Sequence, residues 1–286
     1  MNHEPSTMAP WVQSRLGGRP AGRGVSKVLV MVGTHPRQLS YASTSAAAAL
    51  AQVNVATVVR AAQLLGFSGW PALRSEVRSR YLAGLTAAEV LTEHSPSGDG
   101  LANATLRRDL QNLHDLTPLL DEAKVAEAAT AIFAAKVTLV LGSGSFAAPG
   151  LQLAHLASTI GHDVRLHRTG GTALLNAVSL LGEGDAVVVF HVWRTPEEIF
   201  NAVRAAKAGG ATIIMISDRA HQDLADKVVM MPSEGVGMFP SLVAATTLVQ
   251  ALIAYMVDLD ADRAAAASDR VEELWRTYGL FPDPNA

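Results

Sequence analysis

The sequence contains no cysteine and few charged residues, and each of these two features excludes a class of protein. Without cysteine the chain forms neither a disulfide framework nor a thiolate metal site, so nothing indicates an oxidising compartment. Charged residues make up 17% of the chain and apolar residues 49%, which excludes disorder over the whole length. A chain of 286 residues is long enough for two ordinary domains.

Long runs of purely apolar residues are also missing. Residues 241–257 carry no charge but include Thr246, Thr247 and Gln250, which favours a buried or interface helix over a membrane span. Residues 1–24 contain Gly, Pro and Arg without an apolar run, so they predict a disordered tail rather than a signal peptide. We therefore expect a cytoplasmic protein with no membrane partner.

The charged residues are distributed unevenly. Residues 1–90 contain nine basic residues against three acidic ones, a net charge of +6, and the rest of the chain carries −9. A basic N-terminal part joined to an acidic remainder is typical of a polyanion-binding domain attached to a domain that binds a neutral ligand or oligomerises. The alternative is an accidental asymmetry among solvated charges.

The N-terminal third predicts a compact group of short helices. Asn54 is a suitable N-cap, Gly66 a suitable helix end and Pro71 a suitable first-turn residue. We predict a helix-turn-helix DNA-binding domain over residues 25–90, with helices over Val25–Val32, Ser43–Ala51, Val55–Leu65 and Pro71–Leu82.

A linker over residues 91–121 is predicted next. Residues 92–100 are polar and rich in Gly and Pro, which suits a hinge. Leu101–Leu120 then predicts a connecting helix with an apolar stripe of Leu106, Leu110, Leu113 and Leu116.

From residue 122 to 286 short apolar runs alternate with amphipathic segments, a pattern typical of a doubly wound parallel sheet covered by helices on both faces. The predicted strands are Val137–Leu141, Val164–His167, Ala186–Phe190, Thr212–Ile216 and Lys227–Met231. The predicted helices are Ala147–Ile160, Thr172–Leu181, Pro196–Ala208, a single turn over Gln222–Asp226, and Leu242–Leu259.

The third predicted helix is the best candidate for a DNA-recognition helix. Val58, Ala61 and Leu65 share one face and predict a core contact. The candidate DNA-binding residues are at or near the helix start, where recognition helices reach base edges: Asn54, Val55, Ala56, Thr57 and Arg60. Two alternatives remain open, an internal hydrogen bond for the Thr57 hydroxyl and an ion pair for Arg60.

A glycine-rich loop follows the first predicted strand. Residues 142–147 read Gly-Ser-Gly-Ser-Phe-Ala, and such loops let backbone amides approach an anion at a helix start. The string also fits the weak dinucleotide pattern G-x-G-x-x-A, but the second strand ends in His167 rather than the ribose-binding acid. We expect an anionic metabolite there, and neither a cofactor nor a metal.

The segment from Val53 to Arg60, followed by Leu64-Leu65-Gly66-Phe67-Ser68-Gly69-Trp70, resembles the RpiR family of regulators. In that family a helix-turn-helix precedes a sugar isomerase (SIS) domain. The resemblance covers residues 25–82 and roughly residues 122–260. The chain departs from it at Gln52, where the family usually has Gly, and in the nearly all-Ala helix before the turn.

The resemblance implies that the loops after the first and third strands bind a small anion such as a sugar phosphate. Phe146 and the loop 191–195 replace the serines that the family places there. The candidate ligand residues are Ser143, Gly144, Ser145, His191, Arg194 and Thr195. The alternative is that His191 and Trp193 are core or interface residues and that Ser143 caps a helix.

The sequence therefore predicts a transcriptional regulator that binds double-stranded DNA as a homo-oligomer, a dimer or a tetramer. The alternative is an SIS-domain sugar-phosphate isomerase or another phosphosugar-processing enzyme. Glu234 or His191 could serve as its general base, but neither has a recognisable acid partner nearby in the sequence.

Overall fold

The computed structural model describes residues 8–94, 100–219 and 223–281. These residues form two compact units. The head unit contains the described residues up to Thr105 together with Gly235–Pro240, and the body unit contains those from Leu106 to Glu234 and from Ser241 onward. The domain bounds drawn from the sequence, 25–90 and 122–286, stay predictions.

Within residues 8–94 the head unit forms seven helices. They are α1 (Ala9–Leu16), α2 (Arg23–Thr34), α3 (Pro36–Tyr41), α4 (Thr44–Leu50), α5 (Val55–Leu64), α6 (Trp70–Gly84) and α7 (Ala87–Glu93). The four predicted helices correspond to α2, α4, α5 and α6. Their ends differ from the predicted ends by at most two residues.

Helix α1 lies inside the segment predicted to be disordered, so that prediction is wrong from Met8 onward; residues 1–7 lie outside the described residues. Met8 and Val12 are buried, and Leu16 packs against the same core. Their spacing of four places them on one face of a helix. The Met8 amide also donates to the Gly33 carbonyl at 2.8 Å, which ties α1 to α2.

Side chains from α1 to α6 form one apolar core in the head unit. Trp70 is its largest fully buried side chain, and its indole Nε1 donates to the Ala42 carbonyl at 2.9 Å. Polar side chains cap the two central helices: Ser43 Oγ accepts from the Ala46 amide at 3.1 Å, and Asn54 Oδ1 accepts from the Thr57 amide at 2.9 Å.

The body unit contains the predicted doubly wound sheet. Its five parallel strands run in the order β2-β1-β3-β4-β5: β1 (Thr138–Leu141), β2 (Val164–His167), β3 (Ala186–His191), β4 (Thr212–Ser217) and β5 (Lys227–Met230). Every residue of β3 is buried, as expected for a strand covered on both faces. All five predicted strands are confirmed, with bounds that agree within one residue.

Seven further helices lie in the described residues after residue 100. They are α8 (Leu101–Leu116), α9 (Glu122–Ala134), α10 (Ala147–Thr159), α11 (Gly171–Val178), α12 (Glu197–Ala208), α13 (Val243–Leu259) and α14 (Ala261–Thr277). Helices α11 and α12 cover one face of the sheet, and α9, α10 and α13 pack together away from that face. The predicted turn of helix at Gln222–Asp226 begins outside the described residues, and residues 223–226 form no helix.

Helix α13 confirms the predicted helix over Leu242–Leu259, and its Leu248, Leu252 and Met256 are buried. Within residues 8–94, 100–219 and 223–281 no single helix is long and apolar enough to cross a membrane. Two sharply bent pairs, α4 with α5 and α13 with α14, satisfy the same length and composition test when each pair is taken together.

Helix α8 differs from its predicted apolar stripe. Leu116 is buried, but Leu106 and Leu110 are 59% and 56% exposed. In the body unit the inner side of α8 is instead polar: Asn112 Nδ2 donates to the Glu234 carbonyl at 2.8 Å, and Arg108 lies 3.3 Å from the Glu234 carboxylate. The stripe prediction failed because periodicity does not show which apolar face is covered.

His162 is expected to make the stability of the body unit depend on pH. Burial lowers the pKa of His162 below its usual value of 6.5, and the neighbouring Arg263 lowers it further, while Asp260 opposes them. The imidazole packs against the Phe133 ring with centroids 4.9 Å apart. Because the unfolded chain takes up this proton first, the free energy of unfolding should decrease as the pH falls below about 6.5.

His162→Gln removes that titration, so its unfolding free energy should depend less steeply on pH between about 7 and 5 than that of the wild type. Urea unfolding at several pH values, followed by circular dichroism, measures the difference. Parallel curves for the two proteins would contradict this prediction. His114→Gln is the matched control, because the side chain of His114 is 82% exposed.

Candidate functional site

Helices α4 and α5 form the helix-turn-helix. Helix α4 ends at Leu50, and the chain turns through Gln52, whose φ of 53° lies in the left-handed region that favours glycine. The Val53 amide donates to the Ala48 carbonyl at 2.9 Å, which closes this turn without glycine. Asn54 then caps the start of α5. The turn therefore forms with Gln52 at the position where the RpiR family usually has Gly.

Four of the five predicted DNA-binding side chains are exposed together at the start of α5: Asn54, Val55, Ala56 and Arg60. The fifth, Thr57, is buried, and its hydroxyl donates to Asn54 Oδ1 at 2.8 Å and accepts from the Arg60 guanidinium at 3.2 Å. Thr57 therefore does not fit the predicted base contact, and it orders Asn54 and Arg60 instead. The predicted core face of Val58, Ala61 and Leu65 is confirmed, because all three are buried.

The turn after α5 begins at Gly66, the predicted helix end, and is held by contacts with α1 that the sequence did not indicate. Gly66 has a φ of +88°, which suits glycine at a helix end. The Arg15 guanidinium lies over the Phe67 ring, with its Cζ atom 5.1 Å from the ring centroid. The ring centroids of Phe67 and Trp11 are 6.4 Å apart. Both partners belong to α1, so the segment predicted to be disordered supports the recognition helix.

The body unit has its topological switch point between β1 and β3. Strand β1 pairs with β2 on one side and with β3 on the other. The chain leaves β1 towards α10 and leaves β3 towards α12, and these helices pack on opposite faces of the sheet. In doubly wound sheets the crevice at such a point, beyond the carboxyl ends of the strands, is the usual place for a ligand.

The glycine loop after β1 lies at this crevice. A Cβ at Gly142 would lie 2.9 Å from the Ala147 Cα, so glycine is required for the close approach to α10. Gly144 has a φ of +56° and opens a short 3-10 turn that leads into α10. Phe146 is buried, while Ser143 is half-buried and Ser145 exposed.

The loop after β3 lies on the other side of the switch point. His191 is buried, and its Nδ1 shares a 2.6 Å hydrogen bond with the Thr195 hydroxyl. These two predicted ligand residues therefore bind each other. Arg194 is exposed, and the preceding Trp193 is buried with a φ of 46°. Of the predicted residues in this loop, Arg194 is the one whose side chain is exposed.

A buried polar network that the sequence analysis missed holds this loop. Asp218 Oδ2 accepts from the Trp193 amide at 3.3 Å and from the Ser233 hydroxyl at 3.0 Å. The Arg219 Nε lies 3.4 Å from Asp218 Oδ1, and the Arg219 guanidinium donates to the Trp193 carbonyl. The backbone N–H and C=O groups of Trp193 are thus both held by residues that directly follow β4. Polar residues after neighbouring parallel strands were the signal that could have shown this.

Comparisons with known proteins agree with both parts of the structure. A family described as "Helix-turn-helix domain, rpiR family" matches residues 25–83. The HTH-type transcriptional regulator RpiR of Escherichia coli K12 is 28% identical over 187 residues, which are 63% of this chain and 62% of that protein. The chain thus matches about six tenths of that relative's length.

The body has a solved counterpart in the sugar isomerase domain of an RpiR transcription factor from Sphaerobacter thermophilus. The TM-score is 0.59 at 24% identity, with 61% of this chain and 99% of that chain covered. The chain is therefore similar to RpiR regulators in both of its parts. A second structure, the Vibrio vulnificus NanR protein complexed with ManNAc-6P, covers 95% of this chain and 100% of its own, with a TM-score of 0.61 and 18% identity. At these identities the two structures show that the fold is shared.

Proposed function

We propose that this chain is a DNA-binding transcriptional regulator of the RpiR family, whose SIS-like body senses a small anionic metabolite such as a sugar phosphate. The observation that carries the proposal is the exposed start of α5, with Asn54 and Arg60 presented by a helix-turn-helix in a basic N-terminal part of the chain. Such a helix start reaches base edges in the major groove. The glycine loop and Arg194 at the switch point supply the anion site.

The relatives support the sensing part of the proposal. The NanR structure carries ManNAc-6P, a sugar phosphate, on a fold that this chain shares over almost its whole length. In this chain buried Phe146 and Trp193 flank the switch point, so we expect a tighter and more apolar pocket than a serine-lined one. The anion would then be held by the amides of the glycine loop and by Arg194.

We propose regulation rather than catalysis as the role of the body. Glu234 is buried beside Arg108, and His191 is bonded to Thr195, so both candidate bases are engaged within the protein. Turnover of any sugar phosphate by the purified chain, abolished by Glu234→Gln, would promote the isomerase alternative. We also propose a homo-oligomer, for which the exposed Leu106 and Leu110 are candidate contacts, and a cytoplasmic location.

Arg60→Ala tests the DNA-binding part. If the guanidinium reaches guanine, the substitution should weaken binding of a selected duplex by about 1–3 kcal/mol, and by less if it meets only phosphate. Selection of binding sites from a random duplex library, followed by fluorescence anisotropy, measures this. Arg37→Ala is the matched control, because Arg37 is exposed on α3 and paired with Glu93. No enrichment of any duplex at low salt would refute the proposed function.

Arg194→Ala tests the anion site. A charge-assisted hydrogen bond contributes about 1.5–3 kcal/mol, so affinity for the sugar phosphate that gives the largest thermal shift should fall about tenfold or more. Binding of DNA without that sugar phosphate should be unchanged. Arg204→Ala, which removes an exposed arginine from α12, is the control for calorimetry. Equal affinity in Arg194→Ala and wild type would place Arg194 outside the pocket.

A further inference from the structure

An open groove runs along the head unit between α2 and the end of α4. Its volume is about 620 Å³, and its walls include Arg23, Lys27 and Val30 from α2, and Leu50 and Gln52 from the end of α4 and the following turn. Val30 and Leu50 are 61% and 43% exposed. The groove thus combines two cations on one wall with apolar side chains that other parts of the head leave uncovered.

Arg23 and Lys27 differ from several other cations of the head unit. Both are exposed, and their spacing of four residues places them one helical turn apart on the same side of α2. Among the described residues neither forms an ion pair or a side-chain hydrogen bond. By contrast, Arg37 is paired with Glu93 and Arg80 with Glu76. The groove therefore carries two positive charges that no residue in the described part of the chain pairs with.

The groove is continuous with the exposed start of the recognition helix. A Cβ at Gly24 would lie 3.2 Å from Thr57 Cγ2, so glycine lets the first turn of α2 pack closely on the first turn of α5. Gln52, at the other wall, lies in the turn just before the Asn54 cap. Arg23 therefore lies next to the start of α5, and Lys27 lies one helical turn further along α2.

We infer that this groove binds the sugar-phosphate backbone of the duplex whose bases the start of α5 contacts, an inference that rests on the proposed DNA binding. A nucleic-acid backbone alternates charged phosphates with apolar sugar carbons, which matches the two cations beside Val30 and Leu50. A second copy docked by the same face would bring the Arg23 and Lys27 pairs of both copies together, and like charges oppose such an interface. The phosphate contacts fix the register of the recognition helix on DNA.

The test uses the full chain, a fluorescein-labelled duplex selected from a random library, and the double variant Arg23→Gln with Lys27→Gln. Each phosphate contact contributes about 0.9 to the slope of log affinity against log salt, so the slope should become shallower by about 1.8. If the double variant and the wild type bind equally at about 1 M salt, this difference in slope corresponds to a loss of affinity of roughly 30-fold at about 0.15 M salt. The preference for the selected sequence over an unselected duplex should stay the same, because phosphates carry no base information.

Arg37→Gln is the matched control, since it removes a head cation that lies on α3 and is already paired with Glu93. Its salt slope should equal that of the wild type. Single methylphosphonates placed along the duplex identify the contacted phosphates. A methylphosphonate at a phosphate that Arg23 or Lys27 contacts should weaken DNA binding by the wild type and have no further effect on binding by the double variant. Thermal unfolding confirms that each variant is folded.

Enrichment of a duplex together with an unchanged salt slope in the double variant would overturn the inference and leave the proposed function standing. An equal change of slope in Arg37→Gln would also overturn it, because net charge alone would then explain the effect. A change in self-association rather than in DNA binding, measured by sedimentation, would assign the groove to a second copy. Failure of the selection itself would remove both the inference and the proposed function.

Discussion

Trp70→Ala is expected to destabilise the head unit by about 3–5 kcal/mol, a large share of the about 5–15 kcal/mol by which an ordinary domain is stable. Trp70 is 1% exposed in the head core, so its removal leaves a large cavity. It also removes the indole donor of the Ala42 carbonyl, which lies just before α4. The recognition helix packs on the same core, and DNA binding should therefore be lost with the fold.

Hydrogen exchange followed by mass spectrometry measures this effect separately in each unit. Amides of α5 and α6 should lose protection in Trp70→Ala, while those of β3 and β4 keep it, because the head and the sheet have separate apolar cores. Trp70→Phe is the control: it keeps a ring in the core but loses the hydrogen bond, at a cost of about 1–3 kcal/mol. Full protection of α5 in Trp70→Ala would show that the core tolerates the cavity.

Asp218→Ala should destabilise the body unit by about 3–5 kcal/mol, because it removes one partner of a buried ion pair. Asp218 is 3% exposed, and the side chain of Arg219 is 11% exposed. The substitution also frees the Trp193 amide and the Ser233 hydroxyl. The β3 loop should therefore leave its positive-φ conformation, and Arg194 should lose its position.

Urea unfolding followed by circular dichroism measures the loss, and Trp193 fluorescence in a chain whose other tryptophans are replaced by phenylalanine reports the loop. Asp163→Ala is the matched control. Its ion pair with Arg165 has a distance of 2.5 Å but lies on the surface, so it should cost about 1 kcal/mol or less. Equal losses of unfolding free energy in Asp218→Ala and Asp163→Ala would contradict the prediction that the buried ion pair contributes more than the exposed one. Asp218→Asn, which keeps an acceptor oxygen, should fall between them.

The predicted residues at the start of α5 fall into two groups. Some have positions that depend on contacts within one helical turn, and one has a position that depends on a contact from another helix. At the start of α5 the cap by Asn54 and the exposure of Val55 and Arg60 follow from residues within one helical turn, and the sequence is sufficient to predict them. Thr57 was misplaced because its burial depends on the approach of Gly24 from α2, which no local pattern contains.

In the body the same distinction separates the glycine loop from the β3 loop. The spacing of Gly142 and Gly144 after a buried strand predicts a tight turn into a helix, and the structure has one. The β3 loop is fixed by Asp218 and Ser233, which lie 25 and 40 positions away from Trp193 in the chain. Such contacts arise only when the sheet brings strand ends together.

The sequence by itself determined the five strands of the parallel sheet and many of the helices, because hydrophobic periodicity, caps and turn residues act over a few positions. Its motifs also indicated the resemblance to the RpiR family. The tertiary structure decided which segments and helix faces are covered where no local pattern identifies the partner. It turned residues 9–16 from a predicted tail into a helix that supports Phe67, and it left Leu106 and Leu110 exposed. The physical reason is that burial depends on which distant segments meet, and a periodic pattern shows an apolar face without showing its partner.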